Sequence, residues 1–503
     1  MEILKIQDDN IFLLFHSAEA AEVGEQFQII EPGSNNGIII QVLSNDSYQY
    51  AGIEQELMQS ILEQHISETH REIDREIGLN ELKNLKIAKA KIRKEVQGEN
   101  WIPWSGWIPT RNVEITSVLP ENLINKIFLI PSFPICFTTF NSHALQFDGQ
   151  NLDKVNVITG VKGSGKSHLA KHIVISLSAM QIPCIVFDIN GEYSGLPQAI
   201  TLRWGDTFLP DLADLGYWVL LSIIDSLNPL PETSRNTFEH QLAYHFQRRR
   251  LWCEQTNRRF SIDIDFLLTQ PWSDNELVQG AIERRLRLVN NLNLFRREIV
   301  VTRGVYSNFN EIYEQSCNGH PIIIDLRNQS LKMQKALTTA IINQLEDICQ
   351  TEAQDGGRNR YPFVFFEEAH FYITESDIMN MITRGRHIGI SSVFITNTPQ
   401  NLPDTVFRQL DNLFLLQLTH QNDIKQVSKN SFTDEETIEC FATRMLPTNA
   451  LIIGKITQKY PLIVNVNCLP ESVGPTGVTR STWTRLTPVS THANNTNSPV
   501  PPS

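Results

Sequence analysis

The sequence predicts an α/β fold: a mostly parallel sheet with helices between its strands, carried behind a small all-β segment. Three observations predict it. From about residue 151, short and nearly continuous apolar runs alternate with helical stretches, as strands buried on both faces of a parallel sheet require. A glycine-rich loop stands where one such run gives way to a helix. The first 130 residues instead offer short strands divided by turn chemistry, without crossover helices between them.

Residues 11–15, 26–30 and 37–43 are rich in Ile, Leu, Val and Phe, and Pro32-Gly33-Ser34-Asn35-Asn36-Gly37 is a turn cluster. After the tryptophan-rich stretch 101–107, two more strands are expected at 112–118 and 126–130. Together they suggest a small β-barrel or sandwich over residues 1–148, and the barrel is the expectation. A helical hairpin is expected as an insert at about 53–97, where Leu57, Ile61, Leu62, Ile66, Ile73 and Ile77 approximate one helical face. Gly78 divides it into an acidic half (Glu54, Glu56, Glu63, Glu68) and a basic half (Lys83, Lys86, Lys89, Lys91, Arg93, Lys94). Opposite charge on consecutive helices suits an antiparallel pair. A solvated hairpin and a docking arm both satisfy that pattern.

In the second part, residues 149–468, strands are expected at 155–159, 184–188, 321–325, 361–366, 390–396 and 413–418. A helical insertion is expected at about 226–318, marked by Arg248-Arg249-Arg250, Arg258-Arg259, Arg284-Arg285 and Arg296-Arg297. Residues 469–503 are Ser, Thr, Asn, Pro and Gly with few charges, which predicts a tail without a core of its own.

Composition narrows the function classes. Lys and Arg number 43 against 56 Asp and Glu, a net −13, which argues against binding nucleic acid over the whole surface but permits a local basic strip. The first residues lack a basic segment followed by a long apolar one, so a secretory signal is not expected. The longest apolar runs, such as 217–224, are strand-sized and far below a membrane span. Seven scattered cysteines without a C-x-x-C pair predict neither a disulfide framework nor a zinc module. A soluble cytoplasmic protein is the expectation.

The most specific feature is Gly160-Val161-Lys162-Gly163-Ser164-Gly165-Lys166-Ser167, a complete G-x-x-x-x-G-K-S. Such a loop turns backbone N–H groups onto phosphate oxygens. Its lysine reaches the β- and γ-phosphates and its serine hydroxyl faces Mg²⁺. An apolar strand precedes it and a helix follows, opened by His168, which is counted with the phosphate-contacting residues. Nucleoside triphosphate hydrolysis also needs an acidic strand end. Phe363-Val364-Phe365-Phe366-Glu367-Glu368 supplies one, with Glu367 on the metal side and Glu368 acting on water. The first position is usually Asp, so Glu367 carries one methylene more. A solvated pair of carboxylates opening a helix is the plainer alternative.

With these motifs the chain resembles the HerA branch of the HerA/FtsK superfamily of DNA-pumping ATPases. The resemblance runs on through Asp188-Ile189-Asn190-Gly191-Glu192-Tyr193, Glu367-Glu368-Ala369-His370, Thr383-Arg384-Gly385-Arg386-His387 and Thr396-Asn397-Thr398-Pro399. It implies a RecA-like P-loop core, ATP and Mg²⁺, and a homohexameric ring with ATP held between subunits and double-stranded DNA in the central channel. It also implies an arginine acting on the neighbouring subunit's site, for which Arg386 and Arg384 are the candidates. Asn397 stands where such motors commonly carry a γ-phosphate-sensing Gln. For Asp188 and Glu192, loop anchoring and metal contact are both open. Relatives work beside a separate effector, a NurA-type nuclease or a sirtuin-like enzyme, in DNA-end processing or anti-phage defence. The barrel and hairpin are the implied docking surface. The arginine clusters and the loop 356–360 are candidate DNA contacts. The competing class is a ring scaffold that binds nucleotide to assemble an effector, with little motor activity.

Overall fold

The computed structural model describes residues 1–15, 21–33, 36–47, 86–110, 113–128, 130–296, 304–354, 361–430, 432–469 and 473. The acidic half of the expected hairpin, the loop 356–360 and nearly all of the tail lie outside the described residues.

The N-terminal sheet comprises β1 (Glu2–Gln7), β2 (Asn10–Phe15), β3 (Gln26–Ile30), β4 (Asn36–Ser47), β5 (Lys86–Gln97), β6 (Asn100–Ile102) and β7 (Glu114–Ser117). The strands run in the order β1-β2-β5-β4-β3-β7, with β6 on β5, and every pairing is antiparallel. Ile11, Leu13, Phe15, Ile38, Ile40, Val42, Ala88, Ala90 and Ile92 form its core. Among the described residues no ladder joins β1 to β7, so the sheet is open where a closed barrel was expected.

From Lys86 on, the basic half of the expected hairpin is a strand, not a helix. In β5, Ala88, Ala90 and Ile92 alternate with Lys89, Lys91 and Arg93, a period of two that puts one set in the core and the other on the opposite face. The strand expected at 126–130 is likewise wrong, since helix α1 (Pro120–Ile127) covers its start. Proline at the first helical position presets the backbone, and Leu123 and Ile127, one turn apart, bury the same side.

The second sheet has eleven strands. It contains β8 (Pro134–Phe140), β9 (His143–Asp148), β10 (Val155–Thr159), β11 (Cys184–Asp188), β12 (Ile200–Leu202), β13 (Ile322–Asp325), β14 (Phe363–Glu367), β15 (Ser391–Thr396), β16 (Asn412–Leu415), β17 (Asn449–Gly454) and β18 (Leu462–Val466), in the order β12-β13-β11-β14-β15-β10-β16-β17-β18-β8-β9. Strands β12 to β16 along that path are parallel and the rest antiparallel, so the sheet is mixed. Strands β8 and β9 belong to this sheet, although the reading of the sequence placed them with the N-terminal segment. Strands β10, β11, β14 and β15 are buried along their whole length, and Phe187, Phe366 and Phe394 stack across β11, β14 and β15 at 5.2 and 5.5 Å.

Helix α2 (Lys166–Ala179) follows β10. The inserted helices are α3 (Leu212–Leu215), α4 (Tyr217–Leu227), α5 (Glu232–Gln255), α6 (Ile264–Leu268), α7 (Glu276–Asn291) and α8 (Phe309–Ser316). The apolar run at 217–224 is therefore helical, buried through Val219, Leu220, Leu221, Ile223 and Ile224. Then come α9 (Leu331–Gln354), α10 (Glu375–Thr383), α11 (Gly385–Ile388), α12 (Asp404–Arg408), α13 (Gln421–Val427) and α14 (Glu435–Arg444). Among the described residues no helix is long and apolar enough to cross a membrane.

The charged face of β5 holds the two sheets together. Lys91 reaches Asp9 at 3.1 Å and Asp434 at 2.9 Å, Lys89 pairs with Glu436, and Arg93 donates to the Gln41 side chain (3.0 Å) and the Thr437 hydroxyl (3.2 Å). Asp434 also caps α14 through the Thr437 N–H at 3.0 Å. Burial alone would raise its pKa, but the hydrogen bonds from Lys91 and Thr437 prevail and hold it well below the usual carboxylate range. A depressed carboxylate stabilises the fold above its unfolded pKa and loses that contribution as pH falls. Asp434→Ala should cost about 1–3 kcal/mol near neutral pH, from the lost cap and the unpaired Lys91. In thermal scans the deficit should narrow only below the ordinary carboxylate range.

Candidate active site

The loop after β10 is built as its composition demands. Gly165, at φ 105°, caps α2 in a backbone region that side chains avoid. A Cβ at Gly160 would come within 2.8 Å of Ser164 Oγ and 2.9 Å of Leu416 Cβ, so only glycine fits between the loop and the end of β16. The Val161 N–H donates to the Gln417 carbonyl at 2.7 Å. Lys166, buried, donates from Nζ to the carbonyls of Gly160 and Val161, both at 2.9 Å, and so lies folded back along its own loop. Burial pushes its pKa down to about 8, against the opposing pull of Glu368, Glu192 and Glu367. Ser167 follows at the start of α2, lining the same cleft as Lys162, Gly163 and His168. The His168 ring bonds the Asn467 carbonyl at 2.7 Å, which also takes Nε2 of His172 at 2.6 Å. That ring ties α2 to the chain after β18.

Opposite the loop, β14 ends in two carboxylates with different surroundings. Glu368 sits in the left-handed region at φ 49°, and its N–H donates to the Ile395 carbonyl at 2.7 Å. Its carboxylate accepts the Thr396 hydroxyl at 2.9 Å and the Asn397 N–H at 3.0 Å. It is thus oriented from β15 while still fronting the cleft. Glu367 is buried against Asp188 and Glu192. Burial first, and the Asp188 charge second, push its pKa up to about 8. Asp188 accepts four backbone N–H groups, from Asn190 (3.2 Å), Gly191 (2.5 Å), Glu192 (3.2 Å) and Tyr193 (3.0 Å). Its pKa too is raised, by burial, against those hydrogen bonds. Each carboxyl group thus favours its protonated form beside the other.

The cleft encloses about 580 Å³ and brings together Lys166, Ser167, Glu367, Glu368 and Asn397 as the sequence anticipates. Arg384 is exposed and does not line it. Arg386 lies in α11, and its side chain is outside the described residues. For Asp188 the geometry supplies the loop-anchoring role directly. Two roles went unassigned in the sequence: Thr396, present there only as part of a motif, aims Glu368, and Asn467 fastens α2. Threonine at a strand end carries no distinctive signal. Asn467 acts through its carbonyl, which every residue has.

The arrangement suits cleavage of a phosphoanhydride by water. A cation and N–H donors stand on one wall of the cleft, and an oriented carboxylate on the other. Among the described residues no three His, Cys, Asp or Glu side chains form a metal-holding group. One hydroxyl and one carboxylate beside phosphate oxygens is the donor set Mg²⁺ ordinarily uses, and Ser167 with Glu367 fits it. A carboxyl group whose pKa is raised in the fold favours folding below its unfolded pKa and loses that contribution as pH rises through the folded value. Melting temperature should therefore fall between about pH 5 and 8 through Glu367, and Glu367→Gln, neutral throughout, should flatten that slope.

Residues 147–345 match the family model described as the central domain of helicase HerA. The DNA double-strand break repair helicase HerA of Saccharolobus solfataricus is 22% identical over 343 residues, covering 62% of this chain and 63% of that protein. The match thus spans less than two thirds of the relative's length. Among solved structures, VirB4 of Thermoanaerobacter pseudethanolicus is similar with a TM-score of 0.49 and 12% identity, over 68% of this chain and 98% of that one. The bacterial conjugative coupling protein TrwB follows at 0.43 and 12%, over 72% and 94%. The genome packaging NTPase B204 of Sulfolobus turreted icosahedral virus 2 gives 0.32 and 14%, over 63% and 99%. The family match takes in the phosphate loop and the Asp188 turn and stops within α9, so over that stretch the chain is similar to the HerA central domain.

Proposed function

We propose that the chain hydrolyses ATP in a Mg²⁺-dependent reaction and uses the cycle to move along or unwind double-stranded DNA. One observation carries this reading: Lys166 and an oriented Glu368 face each other across a single cleft. Lys166 is satisfied by two loop carbonyls. Phosphate oxygens replace them as acceptors, and charge-assisted bonds to anions are the stronger ones. Glu368 uses part of its acceptor capacity on Thr396 and Asn397, leaving lone pairs to take a proton from an attacking water. Ser167 and Glu367 would hold Mg²⁺, which when bound neutralises charge on the β- and γ-phosphates. The Asn397 amide lines the same wall and can donate to the terminal phosphate.

In this reading the chain works as a homohexamer, ATP sits at the subunit seams, and Arg386 or Arg384 reaches the neighbour's site. Arg384, exposed and outside its own cleft, is free of a role there, which supports an action in trans. The N-terminal sheet is the docking surface for a separate effector of nuclease or sirtuin-like type, in DNA-end processing or anti-phage defence. A second reading, the nucleotide-binding scaffold, is favoured by one observation. Burial and the Asp188 charge raise the pKa of Glu367, which sets a cost on presenting it to a metal as a carboxylate.

Glu368→Gln should retain ATP while losing DNA-stimulated turnover by about 10²–10⁴-fold, the usual contribution of a positioned base. Lys166→Ala should abolish ATP retention in equilibrium binding. A scaffold would show little turnover to lose and would keep activating its effector. Wild-type turnover that Glu368→Gln leaves unchanged would exclude both the base assignment and the motor built on it.

A further inference from the structure

We infer that the helical insertion carries a second anion-binding surface, which grips the phosphate backbone of double-stranded DNA through Arg248, Arg258 and the Arg249–Trp252 stack. The inference rests on the DNA-handling reading above and names a contact for it. The structure sorts the insertion's arginines by what they already hold. Arg235 is paired with Asp225 (3.2 Å) and Glu239 (3.4 Å), and Arg259 with Asp214 (3.1 Å). Arg285 donates to the carbonyls of Ala281 (3.1 Å) and Asn228 (3.3 Å), and Arg296 to the Ser307 hydroxyl (3.1 Å). These arginines are part of the fold.

The group at the end of α5 is different. Between residues 240 and 260 stand five arginines and one carboxylate, Glu254, in a chain whose net charge is −13. Arg248, Arg250 and Arg258 are exposed, and among the described residues none of them, nor Arg249, forms an ion pair with a carboxylate. Aromatic rings hold Arg249, Arg250 and Arg258 instead, while Arg248 is exposed without a ring partner among the described residues. Arg249 lies 4.5 Å from the centre of the Trp252 ring and Arg258 5.2 Å from it, while Arg250 lies 4.9 Å from that of Phe260. A ring contact leaves the edge donors of Arg250 and Arg258 free, the presentation a phosphate accepts, whereas Arg249 spends its Nε–H on the Ser261 carbonyl at 3.3 Å and has its other donors left. Tyr244, Arg248 and Trp252 follow at intervals of four residues and form a row about 12 Å long on one side of the helix. Tyr244 is 50% exposed and Trp252 39%. Fixed cations without carboxylate partners attract a polyanion, and donors presented this way bind backbone without reading bases.

The test uses the full chain without nucleotide and a short labelled duplex, with binding followed by anisotropy across a salt series. Arg248→Ala with Arg258→Ala should weaken binding several-fold at low salt. It should also make the plot of log affinity against log salt shallower by about 1.8, at ~0.9 per lost phosphate contact. Arg248→Lys with Arg258→Lys should keep most of the wild-type slope. Arg235→Ala, removing an arginine already paired within the fold, should keep all of it. A wild-type chain that binds duplex, with the double alanine variant unchanged in slope and affinity, overturns the surface assigned here. A wild-type chain that binds no duplex overturns the DNA-handling reading itself.

Discussion

The site depends on β15 lying between β10 and β14. In that order the ends of three parallel strands sit side by side, so the phosphate loop and the two carboxylates open into one cleft. Two threonines join them. The Thr159 hydroxyl donates to the Thr396 carbonyl at 3.0 Å, and the Thr396 hydroxyl donates to Glu368 at 2.9 Å. The strand that launches the loop is therefore bonded to the strand that aims the carboxylate. Both threonines are fully buried, where a hydrogen bond left unmade costs more than one made repays. Lys166 and Glu368 are each placed by their own strand, but their separation is set by this middle one.

Two opposed electrostatic pressures act on the cleft. Asp188, Glu192, Glu367 and Glu368 bring four carboxyl groups near the buried Lys166 and Lys171, and burial works against the charged forms of Lys166, Lys171, Asp188 and Glu367. The protein answers them differently. It gives Asp188 four N–H donors and Glu368 a hydroxyl and an N–H, whereas Glu367 has only a long contact from the Asn190 N–H at 3.4 Å and takes up a proton. Glu367 is thus the acid the fold leaves least satisfied as an anion. It is also the one whose charge a bound cation would restore.

Much of this was legible in the sequence. The phosphate loop carries its geometry in its composition, and buried parallel strands declare themselves as unbroken apolar runs; β10, β11, β14 and β15 fall where those runs lie. What was misread failed for a physical reason. In β5 the polar positions are lysine and arginine, and a dense run of cations resembles a solvated helix until their partners are known. Those partners, Asp434 and Glu436, stand more than 340 residues away. Strands β8 and β9 were misassigned because their place depends on β18, which follows them by about 320 residues, and a strand's partner is not written in its own residues. The chemistry of Glu367 and Glu368 was anticipated from adjacency, but their opposite treatment comes from Asp188 on one side and Thr396 on the other.

The misread strand links the N-terminal sheet to the nucleotide loop. The Val161 N–H donates to the Gln417 carbonyl, and the next residue, Leu418, donates its N–H to the Ala442 carbonyl of α14 at 3.1 Å. At the other end of α14, Asp434 and Thr437 receive Lys91 and Arg93 from β5. A displacement of the loop that breaks the bond to Gln417 acts on a backbone carbonyl one residue from that anchor. Helices and buried ion pairs deform little, so strain in such a series is passed along rather than absorbed locally. Arg93 is half-buried, bonded to a glutamine on β4 and a threonine on α14. Sliding the N-terminal sheet along α14 breaks that threonine bond together with the Lys91–Asp434 and Lys89–Glu436 pairs, so sheet and helix hold their register through three side chains at once.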